Sequence, residues 1–269
     1  MVRESSTIKF FDSNFWVGEN VFFERFSVKE ENLEKILMHR KNQFNINETL
    51  VNHFSSFFYH PVEGNNILAN ILNRNVKKNV FGILFLEQDF FLNPRSFKKV
   101  ILKRHSSGFK VLRLCPKSHK YPYEVSLLEK FYEILNYYKF PIIINLEEID
   151  ITGDKTIEWT NLLKISKKFK KIPIIIDGGN SKELQFNSFI FLLIQNSTNI
   201  YFNTHNLFAM NQIEEISKMD PKRLIFDSYF PYYDTYLSIE RIMNSDLNED
   251  DKRKIASLNI LRILSEIEI

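Results

Sequence analysis

The feature that most constrains this chain is a regular alternation. Short apolar runs rich in β-formers recur at Ile8–Phe11, Ser56–Tyr59, Val80–Leu86, Val111–Leu114, Ile142–Leu146, Ile174–Ile176, Ile200–Phe202 and Leu224–Phe226. Between them lie longer segments with helical spacing, such as Leu127, Leu128, Phe131, Ile134 and Leu135. Asn93-Pro94 sets a cap and a first-turn proline ahead of Phe97–Arg104, which Gly108 closes. Ser27 with Glu30 reads as a capping box before a first helix. Strands apolar enough to be buried on both faces, separated by helices, imply a parallel sheet. Eight such units close into a barrel. The expected fold is α/β, a (β/α)8 TIM barrel spanning residues 1–269 as one domain. An open doubly wound sheet is the alternative, but no Gly-x-Gly-x-x-Gly loop follows the first strand to support it.

Composition narrows the partners. A net charge of +3 is too mild for nucleic acid, and the lysines from Lys164 to Lys171 read as the solvated end of a helix. Cys115 is the only cysteine, which excludes a disulfide within the chain and points to a reducing compartment. Met1 to Lys9 carries no apolar signal core, and no apolar run approaches the roughly 18 residues of a membrane span. The expectation is a cytoplasmic protein with neither membrane nor nucleic-acid partner; homo-oligomerisation stays open.

In a barrel of this kind the chemistry sits where strands end and loops begin. Those positions hold Asp12, Asn14 and Trp16; His60; Arg113, Lys117 and His119; Asn145 and Glu147; Asp177; Asn203 and His205; Asp227 and Tyr229. Spacing by two puts Asp12, Asn14 and Trp16 on one face of a strand, and Asp227 with Tyr229 on another.

Several of these stretches resemble the amidohydrolase superfamily. Asp12-Ser13-Asn14-Phe15-Trp16-Val17-Gly18 is similar to its first-strand motif Asp-x-His-x-His-x-Gly with both histidines replaced. Pro141–Asn145 is similar to the fifth-strand segment that ends in a metal histidine, and Ile172–Gly179 to the sixth-strand segment ending His-x-Gly-Gly, with Asp177 at the histidine. Arg223–Pro231 resembles Arg-Leu-Leu-Phe-Gly-Ser-Asp-Phe-Pro, the catalytic aspartate falling on Tyr229. Glu249–Leu264, with Asn259, is similar to the closing helix. Tyr59-His60-Pro61 with Gly64-Asn65, and Arg113 through Tyr121, resemble a little-characterised bacterial branch of the superfamily. The resemblance covers nearly the whole chain and implies a metal-dependent-hydrolase barrel.

The departures bear on chemistry. The family's metal lowers the pKa of a bound water, and its aspartate takes the proton. Asn offers only a weak amide oxygen, Trp no lone pair, and Tyr no carboxylate. With those ligands gone, no metal and no other cofactor is expected. Three readings follow. A metal-independent hydrolase or lyase would use His60 or His119 as acid or base, oriented by Asp12 or Asp177. Arg113 and Lys117 would hold a small anionic substrate, lined by Asn14, Trp16, Asn145, Asp227 and Tyr229. A pseudoenzyme would instead fill the old metal chamber with Trp16 and Tyr229 and bind a ligand or partner. In the third reading, a hard cation sits among Asp12, Asn145, Asp177 and Asp227. Asp12 and Asp227 also read as buried ion pairs, and Cys115 as an inert thiol.

Overall fold

The alternation closes as expected. The computed structural model describes residues 8–74, 79–87, 89–149, 158–179 and 188–269, and eight strands pair in parallel in chain order. They are β1 (Phe10–Val17), β2 (Ile46–His53), β3 (Val80–Phe85), β4 (Phe109–Leu114), β5 (Ile142–Asn145), β6 (Ile174–Asp177), β7 (Ile200–Asn203) and β8 (Leu224–Ile225). The seam between β8 and β1 is made by Ser13 N–H donating to Phe226 O at 3.2 Å and Ser228 N–H donating to Asp12 Oδ1 at 2.9 Å.

Two local readings need correction. The second strand is Ile46–His53; Ser56–Tyr59 lies instead in and just after a helix, Phe54–Phe58. His53 starts that helix by accepting the Ser55 N–H on its Nδ1, and this cap, with tertiary packing, overrides the β-preference of a Phe- and Tyr-rich run. Nor does the Ser27–Glu30 capping box form. Ser27 Oγ accepts from Asn20 N–H at 2.8 Å, and Glu30 reaches the buried His53 at 2.9 Å. Asn93 behaves as read: its Oδ1 accepts from Arg95 and Ser96 at the start of the helix Pro94–Ser106.

Inside a barrel, alternate residues of each strand face the axis, so side chains stack in layers. One residue from every strand builds an apolar floor: Phe11, Leu50, Ile83, Val111, Ile143, Ile175, Tyr201 and Ile225. Ile260 and Ile263 of the helix Asn259–Ser265 pack against it. Asn259 fixes that helix by donating to Pro221 O and Leu224 O at 2.9 and 2.8 Å. Burying each such aliphatic side chain contributes about 1.5–3 kcal/mol. The larger core lies outside the barrel wall, between strands and helices.

Two residues beyond the floor, the same strands turn polar. Leu50 is followed by Asn52, Val111 by Arg113, Ile175 by Asp177, Tyr201 by Asn203 and Ile225 by Asp227, all buried. Two residues further come Phe54, Cys115, Gly179, His205 and Tyr229. Trp16, Phe54, Phe85, Cys115 and Tyr229 form an aromatic cluster over the mouth. Among the described residues no helix is long and apolar enough to cross a membrane.

Candidate ligand site at the barrel mouth

The polar layer is organised by one guanidinium. Arg113 is 2% exposed and donates through Nε to Asn52 Oδ1 at 2.8 Å, through one Nη to Asp177 Oδ2 at 2.8 Å and through the other to Asn14 Oδ1 at 2.9 Å. The Asn14 amide also donates to Asp177 Oδ2 at 3.0 Å, and Asn52 donates to Asn14 Oδ1 at 2.9 Å. Above the guanidinium lie the faces of Trp16, at 5.1 Å, and Phe85, at 5.9 Å. Side chains from three other strands and an aromatic roof thus hold one planar cation in one geometry.

A second buried cation stands beside it. His205 contacts Asp227 through Nδ1, and its Nε2 lies 3.0 Å from Gly179 O. A carbonyl only accepts, so Nε2 carries a proton, and the Asp227 carboxylate favours another on Nδ1. Burial alone would depress this imidazolium, but Asp227, and then Asp177, outweigh it and hold its pKa above the ordinary value. Burial would likewise lift the Asp177 carboxyl, yet Arg113 and His205 pull it below the usual carboxylate range. Tyr229 lies parallel to the imidazole, ring centroids 4.3 Å apart, and holds a left-handed φ of 51°. For a residue with a Cβ that conformation costs about 1–2 kcal/mol. A third pair lies on the outer side of the wall: a register shift in β1 after Asp12 means that Asp12, Asn14 and Trp16 do not share a face as expected, and Asp12 accepts from Arg40 at 2.5 Å and from the Ser228 hydroxyl at 2.5 Å. Three carboxylates, Asp12, Asp177 and Asp227, meet three cations, Arg40, Arg113 and His205.

The remaining expected residues lie elsewhere. His60 is exposed and caps the helix Pro61–Asn73, its Nδ1 accepting from Val62 N–H at 3.3 Å. His119 is half-buried, donates to Phe57 O at 3.1 Å, and is depressed first by burial. Lys117 is exposed. Asn145 packs against Gly179, where φ is +60° and any Cβ would meet the Asn145 amide at 2.4 Å, so only glycine fits. Burial raises the Cys115 thiol well above its ordinary value and keeps it protonated. The layer therefore unites Asn14, Arg113, Asp177 and Asp227, roofs them with Trp16 and Tyr229, and leaves Asp12 behind the wall with Arg40 and His60, His119 and Lys117 outside. Sequence reasoning missed Asn52 and Arg40 and gave His205 no role. Asn52 carried a readable signal, two residues after Leu50 on a strand that was placed too late.

Between roof and loops lies a cavity of ≈ 170 Å³, lined among others by Trp16, Phe57, Tyr229, Tyr232, Arg113 and Glu147. Aromatic rings make up much of its wall; among the described lining residues Arg113 is the cation, and Glu147, Glu148 and Asn145 add polar groups.

No family profile and no curated protein matches the chain. Solved structures do. An uncharacterized TIM-barrel protein from Bordetella bronchiseptica superposes with a TM-score of 0.72 at 13% identity, covering 96% of this chain and 99% of that one. A 2,6-dihydroxybenzoate decarboxylase in complex with 2,6-dihydroxybenzoate gives 0.70 at 10% identity, over 96% and 99%. A 5-carboxyvanillate decarboxylase from Novosphingobium aromaticivorans, a variant with bound manganese, gives 0.71 at 9% identity, over 96% and 97%. Proteins described as amidohydrolases match over the same 96% of the chain. The fold is a (β/α)8 TIM barrel, shared with these proteins.

One expectation falls with that comparison. No cofactor was expected, yet two structural neighbours carry manganese, so barrels of this fold do take a divalent ion. The residues present here do not fit one as they stand. Among the described residues no group of three His, Cys, Asp or Glu side chains could hold a metal, and the converging oxygens of Asn14, Asn52 and Asp177 are already engaged by Arg113.

Proposed function

We propose that this barrel binds a small hydroxylated aromatic acid in the mouth cavity and holds it without turning it over. The cavity of ≈ 170 Å³ carries the reading, because it pairs flat aromatic walls with one buried guanidinium. Arg113 has five N–H groups, of which three are committed to Asn14, Asn52 and Asp177 among the described residues. An acid group would pair with the other two past the edges of Trp16 and Phe85, in a lining that also holds the carboxylates of Glu147 and Glu148, of which Glu147 suits a phenolic hydroxyl. The dihydroxybenzoate held by a barrel of the same fold supports that ligand class.

Turnover needs a titrating group within about 2.6–3.2 Å of the reacting atom. His60 is an exposed helix cap, and His119 packs against Phe57 and Phe85. Asp12 and Asp177 are each bound to an arginine, and His205 lies under Tyr229. These placements favour binding over a hydrolase or lyase working through His60 or His119.

Titration with salicylate or 2,6-dihydroxybenzoate, followed by Trp16 fluorescence and calorimetry, tests the reading. Saturable binding is expected, weakened at least tenfold by Cys115→Met, which fills the cavity. Absence of binding at millimolar ligand removes the binding claim, and release of carbon dioxide or any other product removes the claim of no turnover.

A further inference from the structure

His53 stands where two walls of the mouth meet. It is 1% exposed, ends β2 and caps the helix Phe54–Phe58, its Nδ1 accepting from Ser55 N–H at 3.2 Å. An imidazole nitrogen that accepts carries no proton, so the proton sits on Nε2, which donates to Glu30 Oε1 at 2.9 Å. The ring also lies against Gly18, where φ is +101° and any Cβ would meet it at 2.8 Å. Gly18 exchanges backbone hydrogen bonds with Val28 at 2.8 and 2.9 Å, and so closes the loop that carries Phe22 and Phe23. We propose that His53 is an acid-sensitive latch: a proton on Nδ1 uncaps the helix Phe54–Phe58 and loosens the aromatic wall of the mouth. This concerns the wall and not its occupant, so it stands without the ligand reading.

An imidazolium cannot keep both contacts. Protonated on both nitrogens it is a donor only, and Nδ1–H then faces Ser55 N–H, donor against donor. A helix of five residues has few internal bonds to hold it once the cap is gone. Its rings support the mouth: Phe54 and Phe57 lie 5.0 and 6.0 Å from Trp16, and Phe58 meets Phe22 at 5.2 Å. Phe22, Phe23, Phe57 and Phe58 all line the cavity. Gly18 and the helix Phe54–Phe58 bring no charged side chain to the ring. Glu30 is the charged group that reaches it, with Glu19, Glu31 and Glu34 along the groove beyond. Burial holds the imidazole below its ordinary value against the pull of Glu30, so the cap is intact in neutral solution and is lost as pH falls through the folded value. His119 touches the same helix through Phe57 O, and His60 follows it in the chain, so both need controls.

The test follows acrylamide quenching of Trp16 against pH, with Trp159→Phe in the background so that one tryptophan of the two remains. Circular dichroism monitors the fold. The quenching constant is expected to rise about twofold or more as pH falls below the ordinary histidine range, with circular dichroism unchanged. His53→Asn, whose side chain caps a helix but does not titrate, is expected to abolish the rise. Glu30→Gln removes the carboxylate that favours the imidazolium and is expected to move the midpoint to lower pH. His60→Asn and His119→Gln are expected to leave the rise in place. Constant quenching, or a rise that coincides with loss of circular dichroism, overturns the proposal. So does a rise that survives His53→Asn or vanishes with His119→Gln. If His53→Asn does not fold, the midpoint in Glu30→Gln decides, and one that stays or moves up overturns the latch. None of these readouts involves an aromatic acid, so their failure leaves the ligand reading to its own titration.

Discussion

The floor and the middle layer of this barrel are built by the same strands two residues apart, yet they are held together in opposite ways. In the floor, Ile83, Val111, Ile143 and Ile175 each remove apolar surface from water, and none depends on a particular partner. In the layer above, Arg113, Asp177, His205 and Asp227 are tolerable only because each neutralises another. The floor rewards bulk, and the layer above rewards matching. A barrel can therefore change its chemistry in one layer while the other keeps its shape.

The sharpest way to break this contrast is to unpair a buried charge held by matching, such as the pair behind the wall. Arg40→Met leaves Asp12 buried without its cation and is expected to cost about 3–5 kcal/mol in urea unfolding. Adding Asp12→Asn should recover a large part of that loss; a strictly additive double variant would mean the two charges are not coupled. Next in size is Ile175→Ala in the floor, expected to cost about 2–5 kcal/mol, while Ile175→Val costs about 0.5–1.5 kcal/mol. A floor governed by matching would show no such grading with volume.

The two layers should also differ in their response to pH. Asp177 titrates below its ordinary value, so its stabilising effect is present above the unfolded carboxylate pKa and is lost as pH falls through its folded one. His205 titrates above its ordinary value, so its contribution is full below the unfolded histidine pKa, near 6.5, and is lost as pH rises through the folded one. The layer's own contribution to the unfolding free energy should therefore be largest between the ordinary carboxylate and histidine ranges, while His53, His105 and His119, all held below the ordinary histidine value first by burial, take stability away as pH falls below it. His205→Gln should flatten the alkaline decline, and Ile175→Val should shift the whole curve without changing its form. The smallest effect belongs to His60→Ala, which removes an exposed helix cap: about 1 kcal/mol or less, with salicylate affinity unchanged.

Much of this was legible in the sequence because barrel strands buried on both faces carry their own signature, as Ile142–Asn145 and Ile174–Asp177 do. Asn14, Trp16, Asn145 and Tyr229 could be singled out by their place in ordered motifs, and the structure brings Asn14, Trp16 and Tyr229 to the barrel mouth. β2 was not. Its sequence, Ile-Asn-Glu-Thr-Leu-Val-Asn-His, interrupts its apolar residues with polar ones, and the aromatic run just after it looked more like a strand. Asn52 was lost with it. Arg40 was invisible for another reason: it lies on the helix Leu33–Phe44, and only the folded backbone brings it to Asp12, 28 positions earlier. Partners that far apart leave no local periodicity to read.

Tyr229 gives the mouth one further property. Its left-handed backbone lays the phenol ring flat over His205, which is 1% exposed. Water reaches the imidazolium only when that ring swings aside, so the exchange of its N–H protons becomes a clock for the opening of the mouth. Slow exchange, quickened by Tyr229→Ala and slowed by any occupant of the cavity above, would let nuclear magnetic resonance count those openings.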